Sequence, residues 1–172
     1  MTSHKKGEAG MIGIMADSHD NLNRIKQAVS LFKDAGCSLV IHAGDFVAPF
    51  SARELASLNC PVRAVFGNCD GERKGLEKTI QLFGEIKEAP LTFKHTGLIF
   101  LVAHLNTSLE RYFKSPEPEY DVVIFGHTHK PEILTGKRPL LINPGETGGW
   151  LSGKSTVALL EPKTLEAEIV VL

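Results

Sequence analysis

The sequence predicts an α/β protein built from two β-sheets packed face to face with helices outside. Three observations point there. The first half alternates short apolar runs with amphipathic stretches in a βαβαβ order, which implies a parallel sheet with right-handed crossovers. The second half reads mostly as short strands separated by Gly- and Pro-rich turns. Asp, His and Asn recur where the apolar runs stop: MIGIMA precedes Asp17, SLVIHAG precedes Asp45, VRAVFG precedes Asn68, LIFLVA precedes His104 and VVIFG precedes His127. Runs of that kind are the pattern of buried parallel strands, and open α/β sheets bind ligands outside the carboxyl ends of their strands.

After the MIGIMA strand, Asp20 is placed to cap a helix with Leu22, Ile25, Val29 and Phe32 on one face, ending at Gly36. A strand over 38–43 follows. Pro49 suits the first turn of a second helix, whose apolar positions are Phe50, Leu55 and Leu58. A strand over 62–66 and a helix near 74–82 complete this half. Residues 88–94 and 98–104 flank His95-Thr96-Gly97 and read as an antiparallel hairpin. A short amphipathic helix with Leu109, Tyr112 and Phe113 then meets the breaker Ser115-Pro116-Glu117-Pro118. Strands are expected over 121–125 and near 132–135, 139–142, 155–161 and 165–172. No repeat, low-complexity tract or linker interrupts the pattern, so residues 11–172 read as one domain behind a polar lead-in over 1–10.

Composition narrows the function classes. At 172 residues the chain is long enough to bury roughly 70% of its unfolded surface. A net charge of −1 gives no basic field for long nucleic acid or for a membrane surface. The longest apolar stretch, Leu98 to Ala103, falls far short of the ~20 residues of a membrane helix. Residues 1–10 carry no apolar segment of a secretory signal, so a cytoplasmic protein is expected. Cys37, Cys60 and Cys69 lack metal or disulfide spacing, and Cys37 and Cys60 read as small buried hydrophobes.

The chemistry lies in the strand-end residues. In Asp17-x-His19 and His127-x-His129, side chains two residues apart on extended backbone point the same way, so each pair can reach one ion. Asp45 and Asn68 follow glycines, which allow the backbone a sharp turn. His104 closes the set. Oxygen and nitrogen donors without thiolate suit Mn²⁺, Fe, Ni²⁺, Co²⁺ or Zn²⁺, with Mn²⁺ the first expectation. Seven donors are too many for one tetrahedral ion. With one bridging carboxylate they make eight bonds, four for each of two ions. Two divalent ions ~3.5–4 Å apart can hold a bridging hydroxide for in-line attack on a phosphoester. Outside this set, His42 reads either as a group orienting a ligand or as a satisfied core histidine, and His4 and His95 read as exposed. Asn143-Pro144-Gly145 is a tight turn or a phosphate contact. Asn21 and Asp70 read as local caps or supports, and Trp150 as an interface or substrate edge. Arg24, Arg111 and Lys130 are cations that could meet phosphate or simply be solvated.

Asp-x-His, Gly-Asp, Gly-Asn-x-Asp, His and Gly-His-x-His, in that order over residues 17–129, resemble the calcineurin-like metallophosphoesterases. The length and the Gly-Asn-Cys-Asp variant are most similar to the small single-domain branch of microbial phosphodiesterases related to Vps29. The resemblance implies a four-layer α-β-β-α sandwich with two mixed sheets, the metallo-dependent phosphatase fold. It gives one metal Asp17, His19, Asp45 and His129, and the other Asp45, Asn68, His104 and His127, with Asp45 bridging. Asp45, Asn68 and His104 are the candidate catalytic residues, joined by Cys69. Many relatives have His at that last position, close to the leaving group, where a thiol is a poor proton donor at neutral pH. Leu105 also departs from the Gly that relatives often carry. The implied substrate is a small phosphodiester, and self-association is open. The alternatives are a Vps29-like scaffold that binds partner proteins and, more weakly, a phosphomonoesterase or nuclease.

Overall fold

The computed structural model describes residues 10–105, 119–136 and 138–172. Strands β1 (Ile12–Met15), β2 (Leu39–His42), β3 (Val62–Val65) and β4 (Gly84–Lys87) run parallel. β10 (Thr156–Glu161) pairs antiparallel with β1, and β11 (Glu166–Val171) antiparallel with β10. The order across this sheet is β11-β10-β1-β2-β3-β4. The second sheet has β5 (Leu91–His95), β6 (Leu98–Val102), β7 (Val122–Ile124), β9 (Leu140–Asn143) and β8 (Glu132–Leu134), in that spatial order. Its three central strands are parallel and its two outer pairings antiparallel. Both sheets are therefore mixed, as expected.

The sheets meet through one apolar cluster that takes Ile12, Ile14, Ile41, Phe100, Val102, Ile124 and Ile142 from both. The opposite face of the first sheet packs on α1 (Leu22–Asp34), α2 (Pro49–Ala52) with the 3₁₀ turn Arg53–Ser57, and α3 (Arg73–Ile80), through Ile25, Phe32, Leu55, Leu76 and Ile80. On the far face of the second sheet, Leu101, Ala103, Val123 and Phe125 form a smaller cluster. The helix expected to carry Leu109, Tyr112 and Phe113 lies outside the described residues, as do His4 and Arg111.

Some local expectations change. Asn21, not Asp20, caps α1: its side chain accepts the Arg24 N–H, while Asp20 accepts from Ala48 N–H and the Ser51 hydroxyl. The second helix is one turn that tightens to 3₁₀, and Phe50 is half exposed rather than in the core. β4 is additional to the expected strands. It is a short edge strand, and the hairpin begins after it at Leu91 with Thr96-Gly97 as its turn. His95 ends β5 half-buried instead of exposed. Cys37 and Cys60 are half-buried at the margin of the helix-side core.

Candidate active site

All seven predicted donors come together at one rim, where β1, β2, β3, β6 and β7 end. Asp17 and Asp45 are buried, and His104 is 2% exposed. His19 and His129 are partly covered, and Asn68 and His127 open to solvent. Asp17 Oδ1 lies 3.8 Å from His19 Nε2 and 3.5 Å from His129 Nε2. Asp45 Oδ2 stands between two imidazoles, 3.6 Å from His19 Nε2 and 3.3 Å from His104 Nε2. Asn68 Oδ1 is 2.8 Å from His104 Nε2. Asp17, His19 and His129 offer donor atoms within 4.8 Å of one another, and so do Asp45, His104 and His127.

The backbone that achieves this is not extended. Asp17 (φ +50°), His19 (+39°), Asp45 (+62°), His127 (+69°) and His129 (+61°) all occupy the left-handed region. Each such residue costs about 1–2 kcal/mol relative to ordinary backbone. The sequence argument thus names the right pairs with the wrong geometry: left-handed turns, rather than strand alternation, aim both side chains inward. Such strain persists only where the surroundings over-determine it, and it concentrates at functional sites.

Buried polar groups supply that determination. Asp70 accepts the N–H groups of Asp45, Val47 and Gly67, joining the loops after β2 and β3. Gly67 must lack a side chain, since a Cβ there would stand 2.1 Å from Asp45 Oδ1. His42, fully buried, stacks on Phe46, accepts the Gly44 N–H at Nδ1 and lies 3.0 Å from Ser18 Oγ through Nε2. It is a satisfied core histidine that also ties the Asp17 loop to the Asp45 loop. Asn143 donates to the Gly126 carbonyl and Thr128 hydroxyl and accepts the Gly145 N–H, so the Asn-Pro-Gly turn shapes the His127–His129 loop from beneath. Asn21 donates to the Gly148 carbonyl. Leu105 has no positive φ, so a side chain replaces the glycine of relatives there without strain.

Glu146 was missed by sequence reasoning. It is fully buried, with one carboxylate oxygen 3.2 Å from His129 Nδ1. Its oxygens also accept the N–H groups of Trp150, Leu151 and Ser152 and the Ser152 hydroxyl. A carboxylate behind a candidate ligand His is the usual way such a ring is oriented. The sequence carries no marker for it, because most of its partners are main-chain N–H groups of the loop that follows.

The electrostatics fit a cation. Burial pushes the Asp17 carboxyl up to about 6, against the pull of His104 and His129. Asp45 resists its own burial: His104 and the Cys69 N–H hold its carboxyl far below the usual range. His19 and His127 are lowered, chiefly by burial, which favours the neutral, donor-ready ring. Against its own burial, His104 is raised by Asp45. Its Nδ1 lies 2.8 Å from the Ala43 carbonyl, leaving Nε2 facing the oxygens of Asn68 and Asp45. Without an ion these contacts are met by the protonated ring, whose Nε2–H can donate to both oxygens; a metal ion in place of that proton would be met by the same three groups. Asp17 Oδ1 and His19 Nε2 lack hydrogen-bond partners among the described residues, and His129 Nδ1 has only its 3.2 Å approach to Glu146. These donors therefore fit divalent metal.

Mixed sheets that gather carboxylate, imidazole and amide donors at one rim define a metal-binding phosphoesterase architecture. The family described as the calcineurin-like phosphoesterase superfamily domain matches residues 11–165, and the chain belongs to it. Membership implies divalent metal ions for the donor set. A phosphodiesterase of Methanocaldococcus jannaschii is 38% identical over 165 residues, covering 94% of this chain and 98% of that protein. A probable metallophosphoesterase of Methanothermobacter thermautotrophicus is 34% identical, covering 93% and 91%. A solved archaeal phosphodiesterase superposes with TM-score 0.88 at 37% identity, over 94% of this chain and 99% of that one. Vps29 of Chaetomium thermophilum shares the fold, with TM-score 0.68 at 14% identity over 95% and 96%. No helix among the described residues is long and apolar enough to cross a membrane.

Proposed function

We propose that this protein is a phosphodiesterase that works with two divalent metal ions, Mn²⁺ first among them. Asp17, His19, Asp45 and His129 would hold one ion; Asp45, Asn68, His104 and His127 would hold the other. The observation that carries this reading is the placement of Asp45 Oδ2 between His19 and His104, with Asp17 Oδ1 unpartnered beside it. Such a pair of ions supplies a nucleophile from water at neutral pH and neutralises charge building on phosphorus. The chain's own residues set the geometry: Asp45 is fixed by Cys69 N–H through its other oxygen, and His129 is backed by Glu146. The cavity above them encloses about 670 Å³, and among the described residues Lys130 is the one Lys or Arg that lines it. The diester is chosen over the monoester on the named relatives, because the proposed pair of divalent ions would dominate the charge at this site. The M. jannaschii relative named as a phosphodiesterase supports the same choice.

Asp45→Asn is the test. Wild-type protein with Mn²⁺ should turn over bis(p-nitrophenyl) phosphate, and the variant should lose at least about 10³-fold, equivalent to about 4 kcal/mol. Mn²⁺ should also raise the melting temperature of the wild type and not of the variant. No turnover with any divalent metal would make a protein-binding role on the same fold the better reading.

A further inference from the structure

One wall of the cavity takes no part in holding metal. It is the loop after β9, where Trp150, Leu151 and Ser152 line the same space as His19, Asp45, His127 and His129. Trp150 is 64% exposed and Leu151 80% exposed, so two large apolar side chains stand at the rim of a site whose other lining is mostly polar. Single exposed apolar residues need no explanation, but this pair is held in place. The buried Glu146 carboxylate accepts the N–H groups of Trp150 at 2.8 Å, Leu151 at 3.0 Å and Ser152 at 2.8 Å. The indole Nε1–H donates to the His19 carbonyl at 3.0 Å, across from a different loop. The ring is therefore tied by its polar edge to the backbone of a candidate ligand, while its apolar body remains uncovered.

We propose that Trp150, with Leu151 beside it, is the subsite for one aromatic arm of a phosphodiester substrate, a nucleobase or a simple aryl group; this rests on the phosphodiesterase reading above. A diester brings two arms to phosphorus, and the surface next to the candidate ligands offers one of them an aromatic partner. Aromatic rings gain from offset or edge-to-face contact with indole beyond simple burial. Base stacking on aromatic side chains is sequence-tolerant for the same reason. A cavity of about 670 Å³ lies within the range of small-ligand sites, enough for a phosphate and one nucleoside-sized arm. The loop is preorganised by Glu146, so the platform does not have to be ordered when the arm arrives.

Trp150 is the only tryptophan of the chain, so its fluorescence reports this subsite whether or not turnover occurs. The Mn²⁺-loaded full chain is titrated with thymidine 5′-monophosphate, phenyl phosphate, methyl phosphate and inorganic phosphate. The two aromatic ligands should change the emission saturably and bind about tenfold tighter than methyl phosphate, with inorganic phosphate leaving the emission unchanged. By calorimetry, Trp150→Leu should erase that tenfold difference and Trp150→Phe, which keeps a ring but loses the bond to His19, should retain most of it. As inhibitors of diester turnover the ligands should rank in the same order. Thymidine 5′-monophosphate binding more tightly than phenyl phosphate assigns a nucleobase; equal binding assigns a simple aryl arm. Equal affinity for methyl and aromatic ligands overturns the subsite. So does emission that is already shifted without ligand and depends on protein concentration, since a second copy would then cover the ring. Absence of turnover alone would sink the phosphodiesterase reading and leave the fluorescence result to decide the subsite.

Discussion

Replacing His42 with glutamine tests the buried scaffold beneath the candidate metal-binding rim. The ring has no exposed surface and makes one hydrogen bond through each nitrogen, to Gly44 N–H and to the Ser18 hydroxyl. Because Nδ1 accepts, Nε2 carries the proton and donates, so the geometry is satisfied by the neutral ring alone. Burial accordingly pushes His42 from 6.5 down to about 3. The unfolded chain binds a proton at this residue near pH 6.5, well before the folded one does. The contribution to stability is therefore complete above pH 6.5 and is lost as pH falls from there toward 3. At pH 5 the unfolded state is favoured by about 1.5 decades of proton binding, or about 2 kcal/mol. Urea unfolding in the presence of chelator at pH 8, 6.5 and 5, with linear extrapolation to water, gives the comparison. Between pH 8 and pH 5 the wild type should lose about 2 kcal/mol more than His42→Gln, which cannot titrate. Equal losses in the two proteins would refute the claim that burial holds His42 neutral.

Glu146→Gln turns an amide donor toward the N–H donors of the Trp150–Ser152 loop; about 2 kcal/mol of stability should go, seen as a fall of about 4–8 °C in melting temperature. In Gly67→Ala the new Cβ would stand 2.1 Å from Asp45 Oδ1 and 2.4 Å from Asp45 N; Asp45 must move, and both turnover and the Mn²⁺-induced rise in melting temperature should disappear. Burial and the neighbouring Asp45 push the Cys69 thiol up to about 11, so it keeps its proton at neutral pH and is a weak acid for the leaving group. Cys69→His should therefore accelerate alkyl phosphodiesters more than aryl ones, and equal dependence on leaving-group pKa in both proteins would contradict this.

The sequence made the strand ends legible for a physical reason. Buried parallel strands cannot alternate, so MIGIMA, SLVIHA and LIFLVA are uninterrupted, and a carboxylate or imidazole at their ends stands out. β4 escaped because Gly84–Lys87 is an edge strand with only Ile86 fully in the core, which leaves no apolar run to see. Phe50 departs from the helical pattern because one turn on Pro49 passes into 3₁₀, which rotates the face that a longer helix would have buried. The left-handed backbone at Asp17, His19, Asp45, His127 and His129 has no apolar pattern at all, although Asp and His are among the residues that tolerate it.

What the sequence hides most completely is the division of labour around the candidate ligands. Asp70, His42, Asn143 and Glu146 are buried, none belongs to the proposed ligand set, and each fastens main-chain groups of the ligand-bearing loops or of the loop beside them. Among the donors, Asp17 Oδ2 accepts the His127 N–H, Asp45 Oδ1 accepts the Cys69 N–H and His104 Nδ1 meets the Ala43 carbonyl, one main-chain bond each, while Asp17 Oδ1 makes none. Removing a donor such as Asp45 therefore withdraws a ligand while the Asp70 and His42 bonds still hold its loop. Removing a fastener releases backbone that is already strained, and a buried polar group without its partner costs about 1–3 kcal/mol in addition. Ligand variants should accordingly lose metal and activity while keeping most of their stability, and fastener variants should lose stability first. A metal ion binds only the folded arrangement of these donors, so at saturation it offsets part of the left-handed strain. The buried fasteners sustain the positive φ values, and a bound ion would add to that hold.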